Sequence, residues 1–268
     1  MIDLHCHMLP GMDDGASDLE VALSMARTAH DDGTTLVACT PHIYPGLFNN
    51  DGVAIRRAVE GFRERLNEVG IPLRVTFGAD IHLSPNLLQG LRDGSVPCLH
   101  GSRYFLLEPP HNVLPPDFEN AVQAFLTVGL VPLITHPERL TWVGDHYQLW
   151  RRLVGRGAWI QLTAGSLTGR FGASARYWAE RLLDEGLVHV LASDGHSLER
   201  RPPLLREGVE AVARRLGTEE AHRQVTVRPQ GILDNRAPDA IPAPPGVGRS
   251  PGSLERFLDY CRQQFRGY

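Results

Sequence analysis

The chain has 268 residues, 42% hydrophobic and 22% charged, enough for one large α/β domain or two smaller ones. A formal net charge of −4 excludes the basic footprint of a nucleic-acid binder, and no apolar run approaches the roughly 18 residues of a membrane span. All 27 basic residues are arginine, which excludes a Walker A lysine, a Schiff base, a PLP attachment point and a carbamylated-lysine metal bridge.

The first predicted strand is "IDLHCH"; Asp3, His5 and His7 rule out a leader-like apolar stretch, so a cytoplasmic protein without membrane insertion is expected. Ser17 or Asp18 caps a helix through "SDLEVALSMARTAHDDG", which Gly33 closes. "TTLVACT" is the next strand and residues 51–69 the next helix, followed by the strands "LRVTFGADI" and "RYFLLEP". A helix at "DFENAVQAFLTVG", the strand "VPLITH", a helix around "YQLWRRLVGRG" and the strand "AWIQLT" continue the alternation. It ends with the helix "SARYWAERLLDEG", the strand "VHVLASD" and a helix over 203–216. Alternating strands and helices predict a parallel sheet, and about seven units without a linker fit a distorted (β/α)7-type barrel better than an open sheet.

Residues 1–235 are expected to form this single domain, and 236–268 a tail. The Pro- and Gly-rich part of the tail, 236–253, reads as flexible, with a short amphipathic helix in "LERFLDYCRQQF". "GVGRSPG" follows prolines rather than a strand, so it is no dinucleotide fingerprint. Cys6, Cys39, Cys98 and Cys261 are scattered without a C-x-x-C pair, against a disulfide framework or a thiolate zinc site.

Side chains alternate along a strand, so His5 and His7 share a face while Cys6 points away. Two imidazoles at the end of a first strand suit a transition metal, though H-x-H alone is a weak signal. Later strands strengthen it: "ACTPH" ends in His42, "FGAD" in Asp80, "FLLE" in Glu108, "LITH" in His136, and "LASDGH" in Asp194 and His196. Each could be a solvated loop residue by itself. Repeated at strand after strand, they predict a metal site on the rim where α/β barrels place their chemistry.

With "MIDLHCHMLPGMDDGA", "CTPH", "GAD", "SRYFLLE", "THPER", "ASDGHSLERRPP" and "VRPQGIL" in this order, the chain resembles the PHP (polymerase and histidinol phosphatase) superfamily. Within it, the chain is most similar to the bacterial manganese-dependent protein tyrosine phosphatases associated with capsule and exopolysaccharide operons. The resemblance covers about residues 1–235 and implies a distorted barrel holding two or three divalent ions, manganese first, with iron or zinc as alternatives. Carried over by position, the metal ligands are His5, His7, Asp14, His42, Asp80, Glu108, His136, Asp194 and His196. Arg139 and Arg201 match the arginines that hold the phosphoryl group, with Arg200 a competitor for the second role. One departure is Asp80, where the family usually has a metal-bridging glutamate; aspartate is one methylene shorter.

The chemistry so implied is in-line attack of a metal-activated hydroxide on phosphotyrosine, without a phosphoenzyme. The implied partner is a phosphotyrosine protein, a bacterial tyrosine autokinase of capsule synthesis; homo-oligomerisation stays open. A cysteine phosphatase needs C-x-x-x-x-x-R, which Cys98 and Arg103 miss by one position. A histidinol-phosphate-type phosphatase would share the metal site, and a catalytically weak binding protein of the same fold would be expected to lack ligands. Among the remaining residues, His82 and Asp13 are expected behind the ligands, and Asp3 to bond a ligand imidazole. His100, His111, His146 and His189 read as surface or core residues, and Trp142, Trp150, Trp159 and Trp178 as packing.

Overall fold

A computed structural model describes residues 1–247, so the helix expected in "LERFLDYCRQQF" and Cys261 lie outside the described residues. Among these residues, parallel strands form two sheets. The first orders β1 (Ile2–Cys6), β2 (Leu36–Cys39) and β4 (Arg74–Phe77). The second orders β3 (His42–Ile43), β5 (Asp80–His82), β6 (Tyr104–Glu108), β7 (Val131–Thr135), β8 (Trp159–Thr163) and β9 (Val190–Ala192).

One strand read as continuous from sequence is split, and another is followed at once by a short further strand. "TTLVACT" contains β2, and β3 begins after Thr40-Pro41, where proline has no N–H to donate to a ladder. "LRVTFGADI" divides into β4 and β5 at Gly78-Ala79. A Cβ on Gly78 would meet Leu99 Cδ2 at 2.7 Å and Thr40 Cγ2 at 3.0 Å, so any larger residue here would have to displace those side chains. Backbone bonds carry the pairing across the breaks: Gly78 N–H to Cys39 O (3.0 Å) and Asp80 N–H to Pro41 O (3.2 Å). At the other edge, Asp194 N–H donates to His5 O and His7 N–H to Gly195 O, both at 2.8 Å, joining the end of β1 to the segment after β9.

Strands β6, β7 and β8 are buried along their whole length, as expected of a parallel sheet covered by helices. Helix α1 (Leu19–Asp31) is capped by Asp18, whose side chain accepts from Val21 N–H at 2.9 Å. Helix α2 (Gly52–Glu68) is capped by Asp51, accepting from Val53 and Ala54 N–H at 2.8 Å. The chain continues through α3 (Leu87–Asp93), α4 (Phe118–Thr127), α5 (Tyr147–Gly155), α6 (Ala164–Leu167), α7 (Gly172–Asp184), α8 (Arg206–Leu216), α9 (Thr218–His222) and α10 (Arg228–Leu233). The α8 helix starts three residues later than expected, after Pro202 and Pro203; Asp32 Oδ2 accepts from Leu205 and Arg206 N–H at 2.6 and 2.9 Å.

The stretch expected to be flexible is tied down over 236–247. Fully buried Arg228 pairs with Glu220 (2.6 and 3.0 Å) and donates to Pro242 O (2.6 Å) and Ala243 O (3.0 Å). Ile241 is buried, and Gly246 N–H reaches Gly186 O at 3.0 Å. A guanidinium with five donors needs such partners when buried, and the tail's carbonyls supply them. No helix among the described residues is long and apolar enough to cross a membrane.

Candidate metal centre

Strand β1 and the residue that follows it deliver His5 and His7 fully buried, their Nε2 atoms 3.0 Å apart. Each ring is oriented from behind. His5 Nδ1 lies 2.9 Å from Gln161 Oε1 on β8, and His7 Nδ1 lies 2.6 Å from Asp13 Oδ2. Both partner oxygens accept, so Nδ1 is the protonated nitrogen and Nε2 faces the cluster. Burial lowers the His5 pKa, but the Asp80 and Asp194 carboxylates outweigh it and push it up to about 9, so its second proton is one that a bound cation would displace. Asp13 also accepts from the backbone N–H of Gly15 (2.9 Å) and His42 (2.8 Å), which fixes the loop over the strand end. Gly15 is obligatory there, because a Cβ would lie 2.1 Å from His7 O.

Around this pair the other strand ends converge. Asp80 Oδ2 is 3.4 Å from His5 Nε2, 3.6 Å from His42 Nδ1 and 3.9 Å from His136 Nε2. Glu108 approaches His42 Nδ1 at 3.5 Å and His136 Nε2 at 3.8 Å. Asp194 Oδ1 is 3.3 Å from His5 and 3.6 Å from His7, while Asp14 Oδ1 is 3.5 Å from His42 and 3.4 Å from His196. His136 and Asp194 both occupy the left-handed region, at φ 35° and 52°, a strained conformation typical of functional positions.

These ligand atoms fall into overlapping groups within 4.8 Å: His7, Asp14, His42 and His196; His5, His7 and Asp80; His5, His136 and Asp194; His42, Asp80 and Glu108; and Glu108, His111 and His136. Both oxygens of Asp80 are buried without a hydrogen-bond partner, as are His42 Nδ1, His136 Nδ1 and His196 Nε2. The Asp80, His42 and His196 atoms face the other ligands; orphaned acceptors aimed into one space are costly by themselves and fit divalent cations. Burial, then the neighbouring His196, His42 and His5, hold His7 well below the ordinary imidazole range. Burial and Arg139 do the same to His136. Neutral imidazole is the form that ligates.

Asp194 Oδ2 receives both Arg139 and Arg201, the latter at 2.6 Å. Burial pushes Asp194 upward, but His5, Arg139 and Arg201 outweigh it and hold the carboxyl well below its usual range. The two guanidinium groups lie 4.3 and 5.9 Å from the Phe171 ring centroid. Arg200, by contrast, is exposed. The turn carrying Arg139 is pinned by Glu138, whose Oε1 accepts from Thr163 N–H (3.0 Å) and Ser166 Oγ (2.8 Å), and whose carboxyl burial pushes up to about 7.

All nine candidate ligands and both arginines thus meet on one rim. His82 and Asp13 stand behind the ligands; His82 Nδ1 is 3.2 Å from Glu108 Oε2. Asp3 differs from expectation: it accepts the backbone N–H of His5 (3.2 Å) and Ser193 (3.1 Å) rather than an imidazole, because Gln161 holds that ring. His111, read as a surface or core residue, lies 3.3 Å from Glu108 and joins a ligand group with His136. Its one sequence signal is its place three residues after Glu108. His100 bonds Thr76 (2.6 Å) and His189 stacks on Trp159, away from the cluster. Burial pushes the Cys39 thiol up to about 12, Cys98 to about 11 and Cys6 well above its ordinary value, so none is a thiolate at neutral pH.

Comparison with known proteins agrees with this geometry. The model of the capsular polysaccharide synthesis CpsB/CapC family matches residues 1–234. The tyrosine-protein phosphatase YwqE of Bacillus subtilis is 35% identical over 219 residues, covering 82% of this chain and 86% of that protein. The tyrosine-protein phosphatase CpsB of Streptococcus pneumoniae is 27% identical over 238 residues, covering 87% of this chain and 98% of that protein. A chain from the crystal structures of these two, described as unique metal-dependent tyrosine phosphatases, superposes with a TM-score of 0.87 at 32% identity, over 93% of this chain and 100% of that one.

Proposed function

This chain belongs to the CpsB/CapC family of capsular polysaccharide synthesis, and from that membership and its ligand rim we infer that it is a metal-dependent protein-tyrosine phosphatase. The observation that carries the inference is Asp80, a buried carboxylate facing three imidazoles with neither oxygen hydrogen-bonded. His5, His7, Asp80 and Asp194 would hold one cation, His42, Asp80, Glu108 and His136 a second, and His7, Asp14, His42 and His196 a third, each drawn from the overlapping groups described above. Imidazole mixed with carboxylate and no thiolate suits manganese, with iron(II) or zinc as competitors, in two or three sites. Bound there, such cations supply Lewis acidity toward phosphoryl oxygens and an activated water near neutral pH.

The chain's own residues do the rest. Arg139 and Arg201 present charge-assisted donors converging on one point, the geometry that grips a tetrahedral oxyanion. Phe171 beneath them and Glu138 beside Arg139 hold that geometry before substrate arrives. A tyrosine leaving group has a pKa near 10, so it departs with less help from an acid than an alkyl alkoxide needs. The physiological substrate in this reading is a tyrosine autokinase of capsule synthesis, met in the cytoplasm; the family's description supports the link to capsule synthesis. The two sheets read as one distorted barrel of seven strand units, supported by the hydrogen bonds from the end of β1 to the segment after β9.

The test is hydrolysis of a phosphotyrosine peptide by protein stripped with a chelator and reloaded separately with manganese, iron(II) or zinc. Activity absent after stripping and restored by a cation is expected. Full activity in the stripped protein, or none with any cation, would refute the assignment.

A further inference from the structure

The loop that follows His42 forms a tight hairpin. Tyr44 N–H donates to Phe48 O at 2.9 Å and Phe48 N–H returns to Tyr44 O at 2.8 Å. Asn50 Nδ2 ties the hairpin base to His42 O and Met12 O, both at 2.9 Å, and Asn49 Oδ1 accepts from Gly46 N–H at 3.0 Å. At its tip, Gly46 takes φ 87°, which glycine alone adopts without strain. The hairpin is therefore built to hold a shape, yet it keeps apolar groups in water: Tyr44 is 38% exposed and Leu47 63%.

Its two aromatic residues are used differently. Phe48 stacks on the ligand His42, with centroids 5.5 Å apart and planes 13° off parallel. Tyr44 stacks on His82 at 3.9 Å and 6°. His82 is itself fixed by Glu108 Oε2 at 3.2 Å, and that same oxygen lies 3.5 Å from His42 Nδ1. The Tyr44–His82 stack thus stands one side chain outward from the ligand cluster, with an oriented, partly open ring.

We propose that the Tyr44–His82 stack, with Leu47 beside it, is the subsite for the substrate's tyrosyl ring and the apolar side chain next to it. The proposal deepens the phosphatase reading and rests on it. A phosphoryl group seated among the ligands and the two arginines must leave the site through its ester oxygen. Whatever that oxygen carries then meets the rim. An aryl group gains a stacked contact against Tyr44 that a serine or threonine methylene lacks. The hairpin needs no rearrangement to offer it, so little of the gain is lost to ordering. Selectivity for tyrosine over serine phosphate would then come from a wall as well as from the better leaving group.

The test uses manganese-loaded full-length protein and two peptides of one sequence, phosphorylated on tyrosine or on serine. Tyr44→Ala should lower the tyrosine-to-serine ratio of kcat/KM by about fivefold, mainly through KM for the tyrosine peptide. Tyr44→Phe should restore the ratio, because the ring and not its hydroxyl makes the contact. Should Tyr44→Ala lose bound metal, Tyr44→Leu replaces it under the same criterion. An unaltered ratio in a metal-replete variant, equal losses on both peptides, or failure of phenylalanine to rescue would overturn the subsite while leaving the phosphatase intact. Wild-type protein that hydrolyses neither peptide would instead refute the phosphatase reading, and the subsite with it.

Discussion

Asp80→Asn removes one charge from the centre of the cluster and almost no volume. The side chain lies under His5, His42 and His136 at 3.4–3.9 Å, belongs to two ligand groups, and accepts no hydrogen bond on either oxygen. Its contribution to the metal-free fold is therefore small beside its contribution to cation binding. At metal concentrations about 100 times Kd, linkage stabilises the wild type by about 2.7 kcal/mol. For a domain of this size each kcal/mol moves Tm by about 2–4 °C, so manganese should raise it by about 5–10 °C. Loss of a direct ligand weakens affinity by at least the roughly 100-fold seen for outer-shell changes. At the same metal concentration the variant then gains only about 0.4 kcal/mol, a shift of about 1 °C. Thermal melts with chelator and with manganese measure both shifts, and a cooperative melt in chelator shows that the variant folds. A variant that keeps the full manganese-dependent shift would refute the placement of cations at Asp80.

Three further outcomes follow from other parts of the site. Iodoacetamide at pH 7 should leave phosphatase activity intact, because Cys39 is held up at about 12 and Cys98 at about 11; inactivation in proportion to alkylation would point to a thiol mechanism. Gln161→Leu leaves His5 Nδ1–H without its acceptor and should weaken metal affinity by about 10–100-fold, as metal competition with a chromogenic chelator would register; unchanged affinity would deny Gln161 an orienting role. Glu138 keeps its proton in the folded chain up to about pH 7, whereas the unfolded chain releases it near 4.5. Its contribution is intact below 4.5 and is lost as pH rises through 7, an effect on the order of 3 kcal/mol. Glu138→Gln should remove that part of the slope, seen as a smaller drop in denaturant stability from pH 5 to pH 8 than in wild type.

The candidate ligands were legible because the code is short. A parallel strand has a period of two and a fixed direction, so His, Asp or Glu at the ends of successive strands must share one rim. His5, His42, Glu108, His136 and Asp194 all obey this. Residues outside that rule were not legible in the same way. His111 lies beyond β6 in an irregular segment, where no periodicity says which way a side chain points. Gln161 sits inside an apolar strand, and its meaning comes from His5, a partner 156 residues away. Asp3 does not reach an imidazole because Gln161 holds the His5 ring, and its Oδ1 accepts the backbone N–H groups of His5 and Ser193 instead. The prolines and glycines of 236–253 suggest flexibility, but over 236–247 the buried Arg228, with more donors than Glu220 satisfies, uses that segment's carbonyls.

The break between β4 and β5 bears on Asp80, where the family resemblance leads one to expect a longer carboxylate. A continuous strand would extend the β2–β4 ladder to position 80 and leave a side chain one methylene short of a glutamate. Here the ladder stops at Phe77, Gly78 lies close against Leu99 and Thr40, and Asp80 begins a new strand paired with His42 on one side and Leu106 on the other. That pairing places the Asp80 backbone beside a candidate ligand, His42, and its Oδ2 within 3.9 Å of three imidazoles. The interruption that a sheet normally avoids is thus what brings a short carboxylate to the centre of the rim. It follows that Gly78→Ala, whose Cβ would meet Leu99 Cδ2 at 2.7 Å and Thr40 Cγ2 at 3.0 Å, should weaken manganese affinity in a chelator competition; affinity equal to wild type would show that the Leu99 side chain yields instead and that this turn does not set the position of Asp80.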